Sequence, residues 1–269
     1  MSNAPHHPAV ARLAELARKR PVVTAHRGDS RHFPENTLPA FESAVRLRAP
    51  MQEFDVQVAS CGALVCLHDL TLDRTSDAAT ALGPGMRICD LPLARAQRLD
   101  AGAWKGPAHA GARIPTLEQA LAVMLPTSIP MIEHKGGSAR AFVDELRRLR
   151  AVETTLLQSF DWEFVAAARA LEPKLALGLL GPTETHAHVD DSTIREALAV
   201  GAAFVHWHAA ELTRAEVDRA HAAGLLVVTY TSDDEISWLG GRAMGVDAMC
   251  TNDPGKMLAA LEVPRASPQ

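Results

Sequence analysis

Three acidic residues lie in two short apolar segments whose alternating pattern is typical of β-strands. Glu53 and Asp55 are two residues apart in EFDVQV, and Glu133 precedes Lys135 by two residues in PMIEHK. Because alternate residues of a strand share a face, each pair points to one side. Unpaired buried carboxylates are costly, and oxygen ligation of Mg²⁺ or Ca²⁺ removes that cost. We therefore predict that Glu53, Asp55 and Glu133 bind a divalent cation; the alternative is a Glu133–Lys135 ion pair beside a solvated Glu53–Asp55 edge.

Two histidines are expected to flank this cation. His26 ends the segment VVTAH, and His68 lies near the end of LVCLHD. Imidazole is suited to proton transfer near neutral pH. Arg27 and Lys135 could donate hydrogen bonds to phosphate oxygens. A cation, proton-transfer groups and phosphate donors are the components that cleavage of a phosphodiester requires.

The segments that carry these residues belong to a regular alternation of strand and helix patterns, which is typical of β-α units in a parallel sheet. Segments 53–58 and 64–69 are too close for a parallel crossover, so we predict an antiparallel hairpin that brings residue 68 opposite residue 54. The eight remaining strands predict a (β/α)8 TIM barrel. The nine predicted strands are 22–26, 53–58, 64–69, 130–135, 154–160, 175–180, 203–208, 225–231 and 247–252.

The predicted helices fit between these strands, and several begin with Ser, Thr or Asp followed by Glu, as helix starts do. They are 37–48, 116–125, 139–150, 161–171, 191–200, 213–224, 233–244 and 254–262, after a short amphipathic helix within residues 1–20. Residues 75–115 are rich in Gly, Pro and Ala and have weak periodicity. We interpret them as a small insertion after the His68-Asp69 hairpin arm, over the barrel mouth, and the whole chain 1–269 as one domain whose barrel spans 20–262. We further hypothesise that the insertion closes over bound substrate.

Composition limits the kinds of partner. A formal net charge of −5 without a run of Lys and Arg disfavours a nucleic-acid partner. No stretch approaches the roughly 20 apolar residues needed to span a bilayer, so neither membrane insertion nor secretion is expected. The four cysteines form no C-x-x-C pair and are interpreted as buried free thiols, which fits a reduced, cytoplasmic compartment.

The ordered motifs resemble those of the glycerophosphodiester phosphodiesterase family over about residues 21–262. The matching motifs are His26-Arg27-Gly28, Pro34-Glu35-Asn36-Thr37, Ala40-Phe41, Glu53-x-Asp55-Val56, His68-Asp69, Leu72-x-Arg74-Thr75, Glu133-x-Lys135, Ser159-Phe160 and Thr251-Asn252-Asp253-Pro254. His-Arg-Gly alone would be a weak signal, whereas the ordered set is specific. Two segments depart from the family pattern: 46–56, with Pro50 before the acidic pair, and 229–233, where the family usually has a Trp-Thr-Val-Asn-like run.

The resemblance implies a phospholipase-C-like barrel that hydrolyses glycerophosphodiesters to glycerol 3-phosphate and an alcohol with Mg²⁺ or Ca²⁺. It makes His26 and His68 the acid and base catalysts and Glu53, Asp55 and Glu133 the metal ligands. It makes Arg27 and Lys135 phosphate contacts. The first nucleophile is either an adjacent glycerol hydroxyl, giving a cyclic phosphate, or water. Supporting roles are expected for Glu35 and Asn36, capping the following helix and fixing the loop, and for Asp69, orienting His68.

Other functions remain in competition. A lysophospholipase D would need an apolar groove, which Trp104, Trp207, Tyr230 and the insertion could supply. A metal-dependent amidohydrolase also uses an H-x-H pair on a barrel, but on its first strand, where this chain has only His26. The pairs His186/His188 and His206/His208 are therefore expected to have structural or substrate-side roles. A non-catalytic binding barrel would lack a histidine or carboxylate of the set, and none is missing.

Overall fold

Eight parallel strands close into a barrel in the computed structural model, which describes residues 7–125 and 127–262. Each strand pairs with its neighbours around the ring, and the strand Val22–His26 closes the barrel by pairing with both Met51–Val58 and Ala248–Thr251. The predicted TIM barrel is confirmed. Its strands are β1 (Val22–His26), β2 (Met51–Val58), β4 (Ile129–His134), β5 (Leu156–Ser159), β6 (Ala176–Gly181), β7 (Phe204–His208), β8 (Leu226–Tyr230) and β9 (Ala248–Thr251).

Helices follow the barrel strands, and each helix predicted between strands is present. Thr116 and Thr213 begin two of them with capping boxes completed by Gln119 and Glu216. The helices are α1 (Pro8–Ala17), α2 (Leu38–Arg46), α3 (Ala78–Ala81), α4 (Leu93–Ala96), α5 (Leu117–Met124), α6 (Ala139–Arg148), α7 (Trp162–Leu171), α8 (Asp191–Ala199), α9 (Arg214–Ala222), α10 (Glu235–Met244) and α11 (Pro254–Glu262). The predicted N-terminal helix is α1; residues 1–6 and 263–269 of the predicted domain lie outside the described part.

Strand β3 (Leu64–Cys66) is the predicted hairpin arm rather than a ninth barrel strand. It pairs antiparallel to β2, with Val56 opposite Cys66 and Val58 opposite Leu64. Continuing that register brings residue 68 opposite residue 54, as predicted, and the Leu67 amide donates to the Asp55 carbonyl. The hairpin therefore carries His68 back toward the level of the β2 carboxylates.

The barrel has two apolar layers because strand residues alternate between its inside and its outside. Met51, Ile129, Met131, Leu156 and Phe204 belong to the inner cluster that fills the barrel. The outer cluster joins the opposite strand faces to the helices, for example through Phe54, Ile132 and Val205. The side chains that share the inner face with the apolar filling are therefore the ones that can reach a site at its carboxyl end.

Residues 75–115 contain the short helices α3 and α4 and have an apolar cluster of their own. Ile88, Leu91 and Leu99 are members, and the cluster also includes Leu72 and, from the hairpin arm, Val65 and Leu67. Lys105 Nζ donates to the Ser30 carbonyl at 2.7 Å. The segment is thus packed against the arm that carries His68 and contacts the loop after β1.

The cysteine prediction is correct for two residues and wrong for two. Cys66 and Cys250 are buried, whereas Cys61 and Cys89 are exposed; all four are free thiols. Cys61 lies in the β2–β3 turn and Cys89 in a short 3-10 helix within 75–115. Apolar neighbours in the sequence therefore did not predict burial of these two side chains. None of the helices in the described residues is both long and apolar enough to cross a membrane.

Candidate active site

Glu53, Asp55 and Glu133 come together on β2 and β4, above the apolar filling of the barrel. Each lies two or four residues after an apolar residue of the inner cluster, Met51 on β2 or Met131 on β4, and therefore shares its inward face. Asp55 is directly paired with Glu133 across the two strands. One oxygen of each carboxylate lies within 4.8 Å of the others, and all three residues are buried. The strand register alone therefore assembles the predicted acidic cluster.

The charges of these acids are poorly compensated. Burial, then repulsion from Asp55 and Glu133, raises the pKa of Glu53 well above its usual range. Burial, then repulsion from Asp55, raises the pKa of Glu133 to about 7, although Lys135 acts in the opposite direction. Among the described residues, both oxygens of Glu53 and Oδ1 of Asp55 have no hydrogen-bond partner. Buried oxygens without donors are what a hard cation would satisfy, so the donor set fits Mg²⁺ or Ca²⁺.

Two cationic side chains adjoin the cluster. Lys135 Nζ contacts Glu133 Oε1 and lies 3.7 Å from Asp55 Oδ1. Arg27 Nε lies 3.1 Å from Asp55 Oδ2, and Arg27 Nη1 donates to Glu35 Oε1 at 2.8 Å. The Glu133–Lys135 ion pair thus exists, but it is part of the larger cluster rather than an alternative to it.

Hydrogen bonds between side chains hold His26 in one tautomer. They run from Asp233 to Asn252 and from Asn252 to His26. The amide nitrogen of Asn252 can only donate, and it donates to Asp233 Oδ2 at 2.6 Å. Asn252 therefore presents Oδ1 to His26 Nδ1, at 2.7 Å, and Nδ1 must carry the proton. His26 Nε2 is left without a proton, 3.8 Å from Glu53 Oε2. Burial, then the charge of Arg27, lowers the pKa of His26 to about 4, so the ring is neutral at pH 7.

His68 is oriented by the neighbouring carboxylate. Its Nδ1 donates to Asp69 Oδ1 at 2.6 Å, which leaves Nε2 free. Hydrogen bonds from Arg74 and His68 hold the pKa of Asp69 below its usual range, so Asp69 is ionised. Gln57 Nε2 donates to the Asp69 carbonyl at 2.7 Å and to the Leu67 carbonyl at 3.0 Å, which fastens the arm to β2.

Glu35 and Asn36 support the site, but neither caps a helix. The N-cap of α2 is Thr37, without a side-chain capping bond. Asn36 instead donates through Nδ2 to Asp55 Oδ2 at 2.8 Å and accepts from the Asp55 amide at 3.2 Å. Helix capping was the wrong prediction because Asn36 has a positive φ of 56°, which turns its side chain toward β2. The loop-fixing part of the prediction agrees with these contacts.

Arg74 connects the two supporting acids. Its guanidinium donates to both oxygens of Glu35 at 2.8 Å and to Asp69 Oδ2 at 2.6 Å. Burial alone would raise the pKa of Glu35, but hydrogen bonds from Arg74 and the charge of Arg27 lower it to about 2. This ion-pair network links the loop after β1, which carries Glu35, to the arm that carries His68.

These groups open onto one cavity of about 360 Å³. Its lining divides by strand order. The strands β1, β2 and β4, the residues that follow them and the hairpin arm contribute every carboxylate, lysine and arginine of the lining, so we call their side the charged half; it consists of His26, Arg27, Glu53, His68, Glu133 and Lys135. The strands β5 to β8 and the residues that follow them form the uncharged half, with Phe160, Leu180, His206, His208, Tyr230 and Thr231. His206 and His208 therefore lie at this site. The other pair lies away from it, because His186 stacks on Trp162 and His188 pairs with Glu216.

Of the three aromatic residues predicted to supply an apolar groove for an acyl chain, Tyr230 alone lines this cavity. Trp207 is fully buried in the outer core, and Trp104 is not among the residues that line this cavity. Within the described residues, Glu53, Asp55 and Glu133 form the one group of three or more metal-type ligands, and no histidine belongs to it. The zinc-like, histidine-rich site of an amidohydrolase is therefore absent from the described residues.

Four residues that position the catalytic candidates were not predicted as site residues: Asn252, Asp233, Gln57 and Arg74. Asn252 and Arg74 belong to motifs that resemble those of the family, and Asp233 lies in segment 229–233, which departs from the family pattern. Gln57 could have been predicted from the strand pattern, because it shares the inward face of β2 with Glu53 and Asp55.

Comparisons with known proteins agree with this geometry. Residues 26–256 match the model of the glycerophosphoryl diester phosphodiesterase family. YhdW of Bacillus subtilis, which bears the name of this family, is 32% identical over 237 residues, covering 86% of this chain and 94% of that protein. A second Bacillus subtilis protein, named glycerophosphodiester phosphodiesterase, is 29% identical over 89% of this chain and 86% of its own length.

A solved structure gives the same result for the fold. An Oleispira antarctica phosphodiesterase, in complex with the product sn-glycerol-3-phosphate, superposes with a TM-score of 0.82 at 28% identity, covering 92% of this chain and 99% of that one. The chain therefore belongs to the glycerophosphodiester phosphodiesterase family, as its ordered motifs predict, and is an enzyme of the phosphodiester hydrolase class.

Proposed function

We propose that the chain hydrolyses glycerophosphodiesters to sn-glycerol 3-phosphate and an alcohol with the help of a divalent cation. The observation that supports this most strongly is the cluster of three buried carboxylates, Glu53, Asp55 and Glu133, beside a cavity that His26 and His68 also line. The Oleispira antarctica relative holds sn-glycerol-3-phosphate as a product, which supports the same substrate class here. A small anionic substrate also fits a cavity whose charged half includes Arg27 and Lys135.

The cation would be held by Glu53, Asp55 and Glu133. Mg²⁺ and Ca²⁺ are the candidates because all three ligands are carboxylates. When bound, it would neutralise negative charge on the phosphoryl oxygens. Arg27 keeps Asp55 in place, and the remaining guanidinium donors of Arg27, with Lys135, bind phosphate oxygens.

His26 acts as the base and His68 as the acid in this proposal. His26 is neutral and its Nε2 is unprotonated, so it accepts the proton of the attacking hydroxyl as the new phosphorus–oxygen bond forms. His68 supplies a proton from Nε2 to the leaving alcohol oxygen as its bond to phosphorus breaks, while Asp69 holds Nδ1. The attacking group is an adjacent glycerol hydroxyl or a water. With the glycerol hydroxyl, a cyclic phosphate forms first and water then opens it.

The direct test is release of glycerol 3-phosphate from glycerophosphocholine and glycerophosphoethanolamine by the purified chain. Assays contain EDTA, Mg²⁺ or Ca²⁺, and a transient cyclic phosphate is sought by ³¹P NMR. Release with a cation and none with EDTA is the expected result. Equal release with and without EDTA would contradict the cation requirement, and no release under any condition would contradict the substrate class.

Cation affinity is expected to fall as the pH falls through about 7. The pKa of Glu133 is raised to about 7 and that of Glu53 is raised as well, so protons compete for the same oxygens. The cation binds the ionised carboxylates, so affinity is full above the raised pKa and drops below it by roughly tenfold per pH unit for each displaced proton. Calorimetric titration between about pH 6 and about pH 8, in buffers of different ionisation enthalpy, measures both affinity and proton release. Constant affinity without proton release would count against this prediction.

Deleting residues 80–110 is expected to weaken catalysis more than barrel stability. The apolar cluster of this segment covers Val65 and Leu67, so its loss releases the arm that positions His68. A displacement of about 1 Å in a catalytic group can cost about 10²-fold in rate. Steady-state kinetics and thermal unfolding of the deletion variant measure the two effects. A rise in KM alone would favour the hypothesis that the segment closes over substrate, and unchanged kinetics would refute both explanations.

A further inference from the structure

His206 is a buried polar residue of the cavity for which the reaction scheme above has no role. It lies on the inner face of β7 and is 2% exposed. Its Nδ1 lies 2.8 Å from Oε1 of Gln158, which is itself fully buried on β5. Within the described residues, His206 Nε2 has no hydrogen-bond partner, yet the side chain lines the cavity. A buried polar atom without a partner is destabilising, so an atom of this kind that lines a cavity is expected to hydrogen-bond to a ligand or a water molecule there.

The contact with Gln158 determines what His206 can offer. In this structure Oε1 of Gln158, rather than its amide nitrogen, faces His206 Nδ1. In this arrangement Nδ1 carries the proton and Nε2 is an acceptor. Burial, then the nearby His26, lowers the pKa of His206 to about 3, which agrees with a neutral ring at pH 7. His206 is also outside the metal-ligand group. The atom that faces the cavity is therefore a neutral hydrogen-bond acceptor.

The two halves of the cavity indicate what this acceptor would meet. The phosphate of a diester matches the half with Arg27 and Lys135, so an organic arm of the substrate must occupy the uncharged half. There the hydroxyl of Tyr230 already donates to the Gly181 carbonyl at 2.9 Å. Leu180 and Phe160 offer no side-chain hydrogen bond. His208 and Thr231 also line this half, but among the described residues neither is a hydrogen-bond partner of His206 Nε2. A hydroxyl on the substrate can therefore donate to that atom.

We propose that His206 is a specificity-determining residue whose Nε2 accepts a hydrogen bond from a hydroxyl on an organic arm of the substrate, with Gln158 as its positioning residue. The inference rests on the proposed function. It predicts a preference for diesters that carry a free hydroxyl, because a site built around a buried acceptor discriminates against ligands without a donor.

The test compares wild type with His206→Phe on three diesters. Bis(p-nitrophenyl) phosphate has no hydroxyl, glycerophosphocholine has hydroxyls on one arm only, and glycerophosphoglycerol has them on both. His206→Phe is expected to lower kcat/KM for a hydroxylated diester by roughly 5–100-fold and to leave that for bis(p-nitrophenyl) phosphate nearly unchanged. Equal loss on both glycerol diesters would identify the glycerol arm as the donor, and loss confined to glycerophosphoglycerol would identify the alcohol arm. A similar loss on all three substrates would overturn the proposal.

Two further variants separate recognition from folding. His206→Gln retains an acceptor oxygen and should recover part of the preference for hydroxylated diesters. His134→Phe makes the same change on the outer face of β4, where His134 stacks on Phe164, and should leave the substrate preference as in wild type. Failure of His206→Gln to recover any preference, or loss of preference in His134→Phe, would argue for a general structural effect.

Measurements of phosphodiester binding to an inactive variant distinguish failure of this inference from failure of the proposed function. In a His26→Ala background with cation present, calorimetry measures binding of glycerophosphoglycerol, glycerophosphocholine and dimethyl phosphate, which has no hydroxyl. Tighter binding of a hydroxylated diester that disappears on adding His206→Phe supports the inference even if wild type releases no glycerol 3-phosphate. Equal binding of all three ligands by His26→Ala would overturn the inference whatever the activity of the wild type.

Discussion

Replacing His26 by alanine is expected to lower kcat for hydrolysis of glycerophosphocholine by about 10²–10⁴-fold, the usual contribution of a general base. His26 is suited to that role because its proton lies on Nδ1, held by Asn252, and its Nε2 faces the carboxylate cluster. Its pKa of about 4 keeps it neutral at pH 7. A neutral, oriented imidazole can accept a proton without a prior ionisation step. Steady-state kinetics at saturating cation measure the effect.

Controls for His26→Ala separate chemistry from metal binding. The rise in Tm on adding cation should be retained, since the three carboxylates are intact. His188→Ala provides a matched histidine loss, because His188 is largely exposed and pairs with Glu216 away from the cavity. Asn252→Leu should lower kcat in the same direction by releasing the Nδ1 proton, again without loss of cation binding. Activity in His26→Ala close to that of wild type would exclude His26 as the base.

Replacing Glu53 by glutamine is expected to abolish cation-dependent activity. The variant is expected to be at least as stable as wild type with EDTA, but less stable than wild type with cation. Without a cation, Glu53 is a fully buried acid repelled by Asp55 and Glu133, so its neutral analogue should be at least as stable as wild type. With a cation at about a hundred times its Kd, wild type gains about 2.7 kcal/mol. That is roughly 5–10 °C in Tm for a domain of this size.

The matched control for Glu53→Gln is Glu42→Gln, which removes the same charge from an exposed position on α2. It should follow wild type both with EDTA and with cation. Thermal unfolding of the three proteins in both conditions, together with direct titration of Mg²⁺ and Ca²⁺, measures the interaction. A Glu53→Gln protein that is stabilised by cation as much as wild type would rule out Glu53 as a ligand.

The supporting network explains why single substitutions outside the cavity should also matter. Arg74 joins Glu35 to Asp69, and through them it connects Arg27 to His68. The two catalytic candidates are therefore oriented by separate systems: His26 by Asn252 and Asp233, and His68 by the Arg74 network. Because each system holds its imidazole through Nδ1, each leaves Nε2 available for proton transfer.

Local patterns in the sequence determined the strands, the β2–β3 hairpin and the shared face of Glu53 and Asp55. Alternation of apolar residues predicts the strands, and the short turn 59–63 requires β3 to return antiparallel to β2. Strand periodicity alone puts Glu53 and Asp55 on one face, and hairpin register alone brings residue 68 opposite residue 54. These features depend on neighbours in the chain, so a single sequence contains enough information to predict them.

Only the tertiary structure decided which distant side chains meet. His26 and Asn252 are 226 residues apart and become neighbours because β1 pairs with β9 when the barrel closes. Asn36 turns toward Asp55 instead of capping α2, and His206 becomes a buried acceptor beside Gln158, 48 residues away. Burial and the raised pKa values of Glu53 and Glu133 follow from the same closure. Hydrogen-bond partners and desolvation are set by three-dimensional proximity, which the spacing of residues along a chain does not encode.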